Sequence, residues 1–285
     1  MNSLENLIKE KYSKLSPGQK RVAEYLIQNR DEFAFNTASQ IGRKVDVSET
    51  TVIRFSYAIG FNGFSEMQSH IQQWVLSHSQ GAQPPTEISN AEQGTSEIST
   101  LFARTMEKEV VSMRQTLKQL NQEEVWKVIG KLIEADRVLV VGMRASFAAA
   151  YWFSLQLHTL RDQVYLSPTA GNVYEQLSDL TEHSAVVILS FPRYLKETLH
   201  LAESVKSQGI PIICLTDRLL SPVGRIADFT LTTEENVESD SPSIHPVISV
   251  IDMIISGIAM KDQERVQMRQ QKLEEVYSTH GVFIE

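Results

Sequence analysis

The spacing of apolar residues changes along the chain. Up to residue 76, and again from residue 98 to residue 134, apolar positions recur every three or four residues, which is typical of helices that bury one face. From residue 135 onward, short continuous apolar runs alternate with helical segments, which indicates strands of a parallel sheet covered on both faces. The pattern therefore predicts a helical N-terminal region followed by an α/β region.

Residues 1–76 predict short helices in series. Ser16 with Pro17 begins one helix and Thr37 begins a second, because hydroxyl residues cap helices and proline suits the first turn. After a short turn, Ser48 caps a third helix that runs through Ile59. Two helices joined by a tight turn predict a helix-turn-helix.

The third helix has two contrasting faces. Its apolar face holds Val52, Phe55 and Ile59, and its polar face holds Thr50, Arg54 and Tyr57. A polar stripe of this kind suits a helix that enters the major groove of DNA. A small helical bundle with a solvated face has the same pattern, so the periodicity leaves both interpretations open.

Short apolar runs in the second region predict strands. They span residues 137–142, 164–167, 185–191, 210–217 and 228–233. Ligands of doubly wound parallel sheets bind beyond the carboxyl ends of the strands, so the residues after each run are candidates for a binding site. After the third run the sequence continues with Pro192 and Arg193, where the start of a helix is expected.

A polar segment separates the two regions. Residues 77–97 contain adjacent prolines, one isoleucine and many Ser, Gln and Gly residues, a composition that predicts a flexible linker. The expected organisation is a helix-turn-helix domain at 1–76, the linker at 77–97, connecting helices at 98–134, an α/β domain at 135–261 and a helical tail at 262–285.

Charge is distributed unevenly between these regions. The 285 residues carry a net charge of −8, which divides into +1 for residues 1–78 and −9 for the remainder. An acidic total argues against nucleic-acid binding only if the chain is one body, so a near-neutral head is compatible with DNA. The single Cys214 excludes a disulfide framework and a cysteine metal site, and no metal or other cofactor is expected.

The chain shows no pattern typical of a secretory signal or a membrane span. Met1–Ser16 is polar and mixed in charge. The longest apolar stretch, Val247–Met260, is interrupted by two serines and an aspartate. A cytoplasmic protein with no membrane partner is expected.

Residues 38–71 form a long motif, ASQIGRKVDVSETTVIRFSYAIGFNGFSEMQSHI. It resembles the DNA-binding domain of the RpiR family of bacterial transcription regulators, which combines Ala-x-x-Ile, Ser-x-x-Thr-Val-x-Arg-Phe and Leu-Gly-Phe-x-Gly-Phe. The matching residues are Ala38, Ile41, Ser48, Thr51, Val52, Arg54, Phe55, Gly60, Phe61, Gly63 and Phe64, with Ile59 in place of leucine. The resemblance implies a regulator that binds double-stranded operator DNA.

The candidate DNA contacts lie around the predicted turn and the third helix. Hydroxyl groups at a helix start can contact phosphate, and an arginine further along can reach a guanine edge or a phosphate. Basic residues at the end of the preceding helix can contact phosphate, or they can interact favourably with the partial negative charge of the helix C-terminus. The candidates are Arg43, Lys44, Ser48, Thr50, Thr51, Arg54 and Tyr57.

The region from Ala135 to Thr233 resembles the sugar isomerase (SIS) domain. This resemblance implies a doubly wound α/β/α domain with a mostly parallel five-stranded sheet that binds phosphosugars, next to the all-α helix-turn-helix domain. The first ligand loop of the family, Gly-x-Gly-x-Ser, here reads Gly-Met-Arg-Ala-Ser at 142–146. The second, Ser-x-Ser-Gly-x-Thr, reads Ser-Phe-Pro-Arg-Tyr-Leu at 190–195. Each loop therefore has an arginine where the family has glycine.

These departures predict an anion site rebuilt around two arginines. The planar guanidinium groups of Arg144 and Arg193 suit phosphate or carboxylate. The expected effector is a small sugar phosphate or sugar acid, bound by Gly142, Arg144, Ser146, Ser190 and Arg193. The alternative is a vestigial domain in which the arginines pair with acids such as Asp217 or Glu197.

An SIS enzyme with an accessory helical domain is the alternative function. An isomerase needs a base and usually an acid beside its substrate. The candidates are Glu175, Glu197, His200 and His245. They form no compelling acid–base pair in the sequence. The sequence therefore favours a regulator over an enzyme, and the effector is expected to alter operator binding.

The C-terminal pattern predicts self-association. Residues 246–260 are apolar nearly all round, which the surface of a monomer would not tolerate. A charged helical segment follows, with an apolar seam at Val266, Met268, Leu273 and Val276. Because operators are usually two-fold, a homodimer or a higher homo-oligomer is expected.

Overall fold

The computed structural model describes residues 4–79, 97–167, 173–234 and 243–284. Contacts within the chain divide it into two units, Met1–Glu97 and Ile98–Glu285, which we call the head and the body. Each unit has its own hydrophobic core.

The head is entirely helical in its described part. Its helices are α1 (Leu4–Lys11), α2 (Pro17–Gln28), α3 (Arg30–Phe35), α4 (Ala38–Lys44), α5 (Glu49–Ile59) and α6 (Phe64–Ser79). Helix α6 runs into the segment expected to be linker, and residues 80–96 of that segment lie outside the described residues.

Side-chain caps set the helix starts in the head. Ser16 and Gln19 form a capping box at α2, and Thr37 and Gln40 form a second one at α4. At α5, the Ser48 hydroxyl accepts a hydrogen bond from the backbone N–H of Thr51 at 3.2 Å. The three helix starts expected from the sequence are confirmed.

The turn between α4 and α5 depends on a glycine. The N–H of Val47 donates to the carbonyl of Gly42 at 2.8 Å, and a Cβ at residue 42 would lie 2.7 Å from the Val47 carbonyl oxygen. Any larger residue would force α4 and α5 apart. The predicted helix-turn-helix is present, with Val52, Phe55 and Ile59 buried in the head core.

The body alternates helices and strands. Two helices come first, α7 (Glu97–Gln119) and α8 (Gln122–Glu134). They are followed by β1 (Val138–Gly142), α9 (Ser146–Leu160), β2 (Val164–Leu166), α10 (Val173–Ser178), β3 (Ala185–Leu189), α11 (Lys196–Ser207), β4 (Ile212–Thr216), β5 (Phe229–Thr232), α12 (His245–Lys261) and α13 (Gln263–His280).

The five strands form one parallel sheet in the order β2-β1-β3-β4-β5. Along β1, Val138 and Val140 face a core with α8, α9 and α12, whereas Leu139 and Val141 face a second core with α10 and α11. Cys214 of β4 is buried in that second core. The expected doubly wound, five-stranded α/β/α fold is confirmed.

Helix α12 does not need a partner subunit to cover its apolar surface. Its buried residues pack against α8 and α9 within the same chain, and a Cβ at Gly257 would lie 2.3 Å from Ile129 Cδ1. Because α12 is a core helix of the body, its apolar sequence does not by itself indicate self-association, which stays a prediction. In the C-terminal seam, Val266 is buried, whereas Met268 and Val276 are exposed.

The amino-terminal edge of the sheet holds a buried arginine. The Arg161 side chain is 5% exposed, and its guanidinium donates to the carbonyls of Ala135 and Asp136 at 2.7 and 3.2 Å and also to that of Leu132. These carbonyls lie in the last turn of α8 and directly after it, where helical acceptors lack partners. Burial lowers the pKa of Arg161, and the repulsion of nearby Arg265 lowers it further.

Asp136 forms a second polar cluster at the same edge. Its carboxylate accepts hydrogen bonds from the hydroxyls of Ser184 at 2.6 Å and Thr181 at 3.0 Å. The bond from Ser184 is the main reason that the pKa of Asp136 lies below its ordinary value. The Arg137 guanidinium, next in the chain, donates to the Asp179 carbonyl at 2.9 Å.

Candidate DNA-binding and anion-binding sites

The exposed face of α5 carries three of the candidate DNA contacts. Thr50, Arg54 and Tyr57 are all exposed, on the side of the helix opposite the buried Val52 and Phe55. Within the described part of the chain, Arg54 forms no hydrogen bond or ion pair. Its guanidinium is therefore available to a base edge or a phosphate.

Ser48 and Thr51 are partly committed to the helix start. Their hydroxyl oxygens lie 2.9 Å apart, and the Thr51 methyl group would be 3.1 Å from a Cβ at Gly18 of α2. Thr51 is thus half-buried against α2, whereas Ser48 is exposed. These two residues therefore stabilise the start of α5, and they also contribute to its outer surface.

The two basic residues at the end of α4 differ. Lys44 Nζ lies 2.5 Å from Glu32 Oε2 and 6.0 Å from the centre of the Tyr25 ring. The hydrogen bond to Glu32 raises the pKa of Lys44, and the same bond lowers the pKa of Glu32. Arg43 is exposed. The sequence could not reveal this difference, because Glu32 is distant from Lys44 along the chain.

The candidate anion site lies where the order of the strands reverses. Strand β1 is paired with β2 on one side and β3 on the other, and Gly142 is aligned with Leu189 at the carboxyl ends of β1 and β3. A crevice forms at this point in doubly wound sheets because the connections from the two strands lead to opposite faces. Arg144 and Arg193 follow these two strand ends.

Both arginines have an unusual backbone conformation. The φ angle is 53° at Arg144 and 65° at Arg193, in the left-handed region that favours glycine. A non-glycine residue in this region costs about 1–2 kcal/mol. The chain therefore keeps the glycine-type backbone of both loops while it adds an exposed cationic side chain to each.

Gly142 is required by the packing of the first loop. A Cβ at this position would lie 2.5 Å from the Ser146 carbonyl oxygen and 2.7 Å from the Ala150 Cβ. Helix α9 therefore begins directly against the end of β1. Its N-cap residue, Ala145, has no side chain that could cap the helix.

The second loop is longer than the sequence suggests. Helix α11 begins at Lys196, so Pro192 lies in the preceding loop and not in the first helical turn. Leu195 is the N-cap residue and makes no side-chain capping bond. Both α9 and α11 thus begin without a side-chain cap beside the crevice, and helix N-termini of this kind favour anions.

Two serines complete the candidate site. Ser190 is buried, with 5% of its surface exposed, and its N–H donates to the Leu215 carbonyl at 3.0 Å. Ser146 is the first residue of α9. Neither hydroxyl has a hydrogen-bond partner among the residues that the structure describes. A contact at 3.3 Å between the Thr198 hydroxyl and Met143 Sδ joins α11 to the first loop.

The acids near the site do not pair with the two arginines. Asp217 instead accepts a hydrogen bond from the Tyr194 hydroxyl at 2.5 Å and lies 3.8 Å from Arg218 Nε. Glu197 is exposed. Within the described ranges, neither Arg144 nor Arg193 forms an ion pair. The vestigial alternative therefore lacks the pairing that it required.

The four candidate acid–base residues are spread over three helices. Glu175 is in the first turn of α10, Glu197 and His200 are exposed on α11, and His245 begins α12. His245 Nδ1 lies 3.3 Å from Glu109 Oε2 of α7, and Ser243 contacts both residues. His245 thus connects two helices of the body, a role that the sequence did not indicate.

Metal sites and membrane-spanning helices are absent from the part of the chain that the structure describes. The described ranges contain no group of three or more potential metal ligands. None of their helices has the length and apolar character that a membrane span requires.

Comparison with known families matches both units. Residues 1–78 match the helix-turn-helix domain of the rpiR family, and residues 131–258 match the SIS domain. An uncharacterized HTH-type transcriptional regulator from Haemophilus influenzae is 25% identical over 94% of this chain and 93% of its own length. Another from Clostridium perfringens is 24% identical over 90% of this chain and 92% of its own.

Solved structures show the same architecture. The sugar isomerase domain of an RpiR transcription factor from Sphaerobacter thermophilus has a TM-score of 0.59 and 26% identity, over 62% of this chain and 99% of that one. Vibrio vulnificus NanR, in complex with ManNAc-6P, has a TM-score of 0.59 and 18% identity, over 98% of this chain and 100% of that one.

A helix-turn-helix head with a SIS body defines a two-domain transcriptional regulator. This chain belongs to the RpiR family of such regulators. The isomerase alternative is not supported, since the relatives that match nearly the whole chain are regulators with a DNA-binding domain.

Proposed function

We propose that this regulator binds a small anionic sugar-like metabolite in its body and that the metabolite changes the affinity of the head for operator DNA. The effector is a sugar phosphate or a sugar acid. Its site comprises Gly142, Arg144, Ser146, Ser190 and Arg193.

One observation carries this proposal. Two exposed arginines have left-handed backbone conformations at the ends of neighbouring strands, at the point where the strand order reverses. Placing an arginine in a conformation suited to glycine is unfavourable, and two such residues in one crevice would also repel each other. A bound anion would offset the repulsion and use both guanidinium groups.

The surrounding groups support an anion with hydroxyl groups attached. The uncapped starts of α9 and α11 offer backbone N–H donors, and the hydroxyls of Ser146 and Ser190 lack partners within the described residues. A phosphate or carboxylate can accept from the N–H and guanidinium groups, while sugar hydroxyls can bond to the serines. The NanR structure contains ManNAc-6P, so this sugar phosphate is one of the compounds to test as an effector.

The DNA contacts are proposed for the exposed face of α5 and the end of α4. Thr50, Arg54 and Tyr57 present side chains from α5, and Ser48 and Thr51 form its start. Arg43 and Lys44 lie at the end of α4, beside the turn. Binding to an operator is then expected to weaken steeply with salt, because several cations contact phosphates.

A homodimer or higher homo-oligomer remains a prediction, since two-fold operators require paired heads. The domain boundaries 76/77 and 97/98 also remain predictions. Limited proteolysis tests them, because a segment rich in Ser, Gln, Gly and Pro is expected to be cut first, between residues 79 and 97. Protection of this whole segment would show that the boundaries are misplaced.

A thermal-shift panel of sugar phosphates and sugar acids, followed by DNA titration, tests the effector. A ligand at a hundred times its dissociation constant should add about 2.7 kcal/mol to the free energy of unfolding. Arg193→Gly should remove this response without loss of DNA binding, because glycine suits the backbone there but supplies no cation.

The matched control is Arg137→Gln, which removes a cation from the opposite edge of the sheet. It should leave the response intact. If Arg144→Gly and Arg193→Gly both retain full ligand affinity and the effect of ligand on DNA binding, the proposed anion site is wrong. If the wild type binds its own promoter no better than random duplex, the assignment of the DNA face is wrong.

A further inference from the structure

Tyr194 joins the second loop to the neighbouring strand. Its hydroxyl donates to Asp217 Oδ1 at 2.5 Å, and Asp217 directly follows β4. On the other side of Arg193, the N–H of Ser190 donates to the Leu215 carbonyl at 3.0 Å. The loop is therefore attached to the end of β4 both before and after Arg193.

The Tyr194 ring and the Asp217 carboxylate are themselves held in place. The Thr216 hydroxyl donates to Asp217 Oδ1 at 3.1 Å, and Arg218 Nε lies 3.8 Å from Asp217 Oδ2. The guanidinium carbon of Arg218 is 5.6 Å from the centre of the Tyr194 ring. Tyr194 thus contacts a carboxylate through its hydroxyl and a cation through its ring, and both charged residues follow the same strand.

The left-handed backbone of Arg193 needs such support. A residue in this conformation persists only where its surroundings determine it. The start of α11 contributes no side-chain cap, since Leu195 is the N-cap residue. The side chain of Tyr194, directly after Arg193, ties the loop to the residues that follow β4.

We infer that Tyr194, with Asp217 and Arg218, is a positioning group that holds Arg193 in its anion-binding conformation. This inference rests on the proposed anion site. When these contacts are lost, the loop samples other conformations, and the apparent affinity for an anion falls in proportion to the fraction of chains that remain competent to bind. Tyr194 acts through Arg193 and need not touch the ligand.

Titration calorimetry of the full chain with inorganic phosphate tests the inference. Tyr194→Phe and Asp217→Ala should each weaken phosphate binding about threefold to tenfold, the effect of one hydrogen bond. Asp217→Asn should retain most of the affinity, because its amide oxygen still accepts from Tyr194. Tyr165→Phe is the control: it removes an exposed hydroxyl that bonds to Gln163 in a different part of the body.

The decisive comparison is a double-mutant cycle. If Tyr194 acts through Arg193, Tyr194→Phe should have no further effect on phosphate binding once Arg193→Gly is present. The inference would be overturned if Tyr194→Phe weakened phosphate binding equally in the wild type and in Arg193→Gly. It would also be overturned if Tyr194→Phe alone left the phosphate affinity unchanged.

Hydrogen exchange without phosphate separates this inference from the proposed site. Amides in residues 190–195 should exchange faster in Tyr194→Phe and Asp217→Ala than in the wild type and in Tyr165→Phe. If wild-type protein and Arg193→Gly bind phosphate equally weakly, the anion site is wrong, and the exchange rates still decide whether Tyr194 holds the loop. Unchanged exchange rates would show that it does not.

Discussion

The two edges of the parallel sheet use polar residues in opposite ways. At the amino-terminal edge, Arg161 donates to backbone carbonyls, and Asp136 accepts from Ser184 and Thr181. At the carboxyl edge, the side chains of Arg144 and Arg193 are exposed and form no ion pair with any residue that the structure describes. One edge therefore satisfies its own polar groups, whereas the other has polar groups available for a ligand.

With the proposed anion site, the contrast separates stability from function within one sheet. Groups that already have internal partners contribute to folding, and their removal leaves other buried groups unsatisfied. Groups with a strained backbone and no internal partner add little to stability, so a ligand is the simplest physical reason for their presence. The head shows the same contrast between Lys44, which pairs with Glu32, and Arg54, which has no partner among the described residues.

The largest expected effect is at Arg161. Arg161→Met should lower the free energy of unfolding by about 2–4 kcal/mol, since it leaves buried carbonyls at the end of α8 without donors. Chemical denaturation of the body measures this change. Arg144→Met, which removes an exposed arginine from the other edge, should lower the free energy of unfolding much less. Equal losses of stability in the two variants would contradict the distinction between the two edges.

The next effect concerns the two cations of the head. Arg54→Ala should weaken operator binding by about 1–3 kcal/mol if Arg54 reads a base, and should weaken all DNA equally if it contacts phosphate. Lys44→Ala should have a smaller effect, because its charge is already compensated by Glu32. Fluorescence anisotropy at several salt concentrations measures the DNA affinity of both variants. A larger loss of affinity for Lys44→Ala than for Arg54→Ala would contradict this ranking.

A smaller effect of opposite sign is expected at the carboxyl edge. Arg144→Gly and Arg193→Gly should each raise the free energy of unfolding in the absence of ligand, by about 0.5–1 kcal/mol, because glycine removes the left-handed strain. The matched variant Arg193→Ala removes the same charge but keeps the strain. Thermal unfolding should therefore give both glycine variants a higher melting temperature than Arg193→Ala. The reverse order of melting temperatures would show that the arginines are not strained.

Much of this architecture could be predicted because its determinants are local. The caps at Ser16, Thr37 and Ser48 set the helix starts, and continuous apolar runs identified the strands. The rule that ligands bind beyond strand ends indicated the loops to consider, and the resemblance to the SIS ligand loops selected the anion-site candidates within them. Their placement on adjacent strands also follows from the resemblance to the SIS domain.

The features that could not be predicted depend on contacts between distant parts of the chain. The sequence of α12 does not reveal that α8 and α9 cover most of its apolar surface. The left-handed backbone of the two arginines contradicts the usual preference of that residue. The Tyr194–Asp217 bond joins residues from different loops, and neither loop alone indicates it.

The smallest expected effect tests the amino-terminal edge through pH. Hydrogen bonds from Ser184 and Thr181 lower the pKa of Asp136 in the folded protein. Its contribution to the free energy of unfolding is therefore fully present above the ordinary carboxyl pKa and is lost as the pH falls through the lowered value. Asp136→Asn cannot titrate, so its unfolding free energy should fall less steeply on acidification than that of the wild type. Urea denaturation across the acid range measures both slopes, and identical slopes would show that the carboxylate of Asp136 is not stabilised by its neighbours.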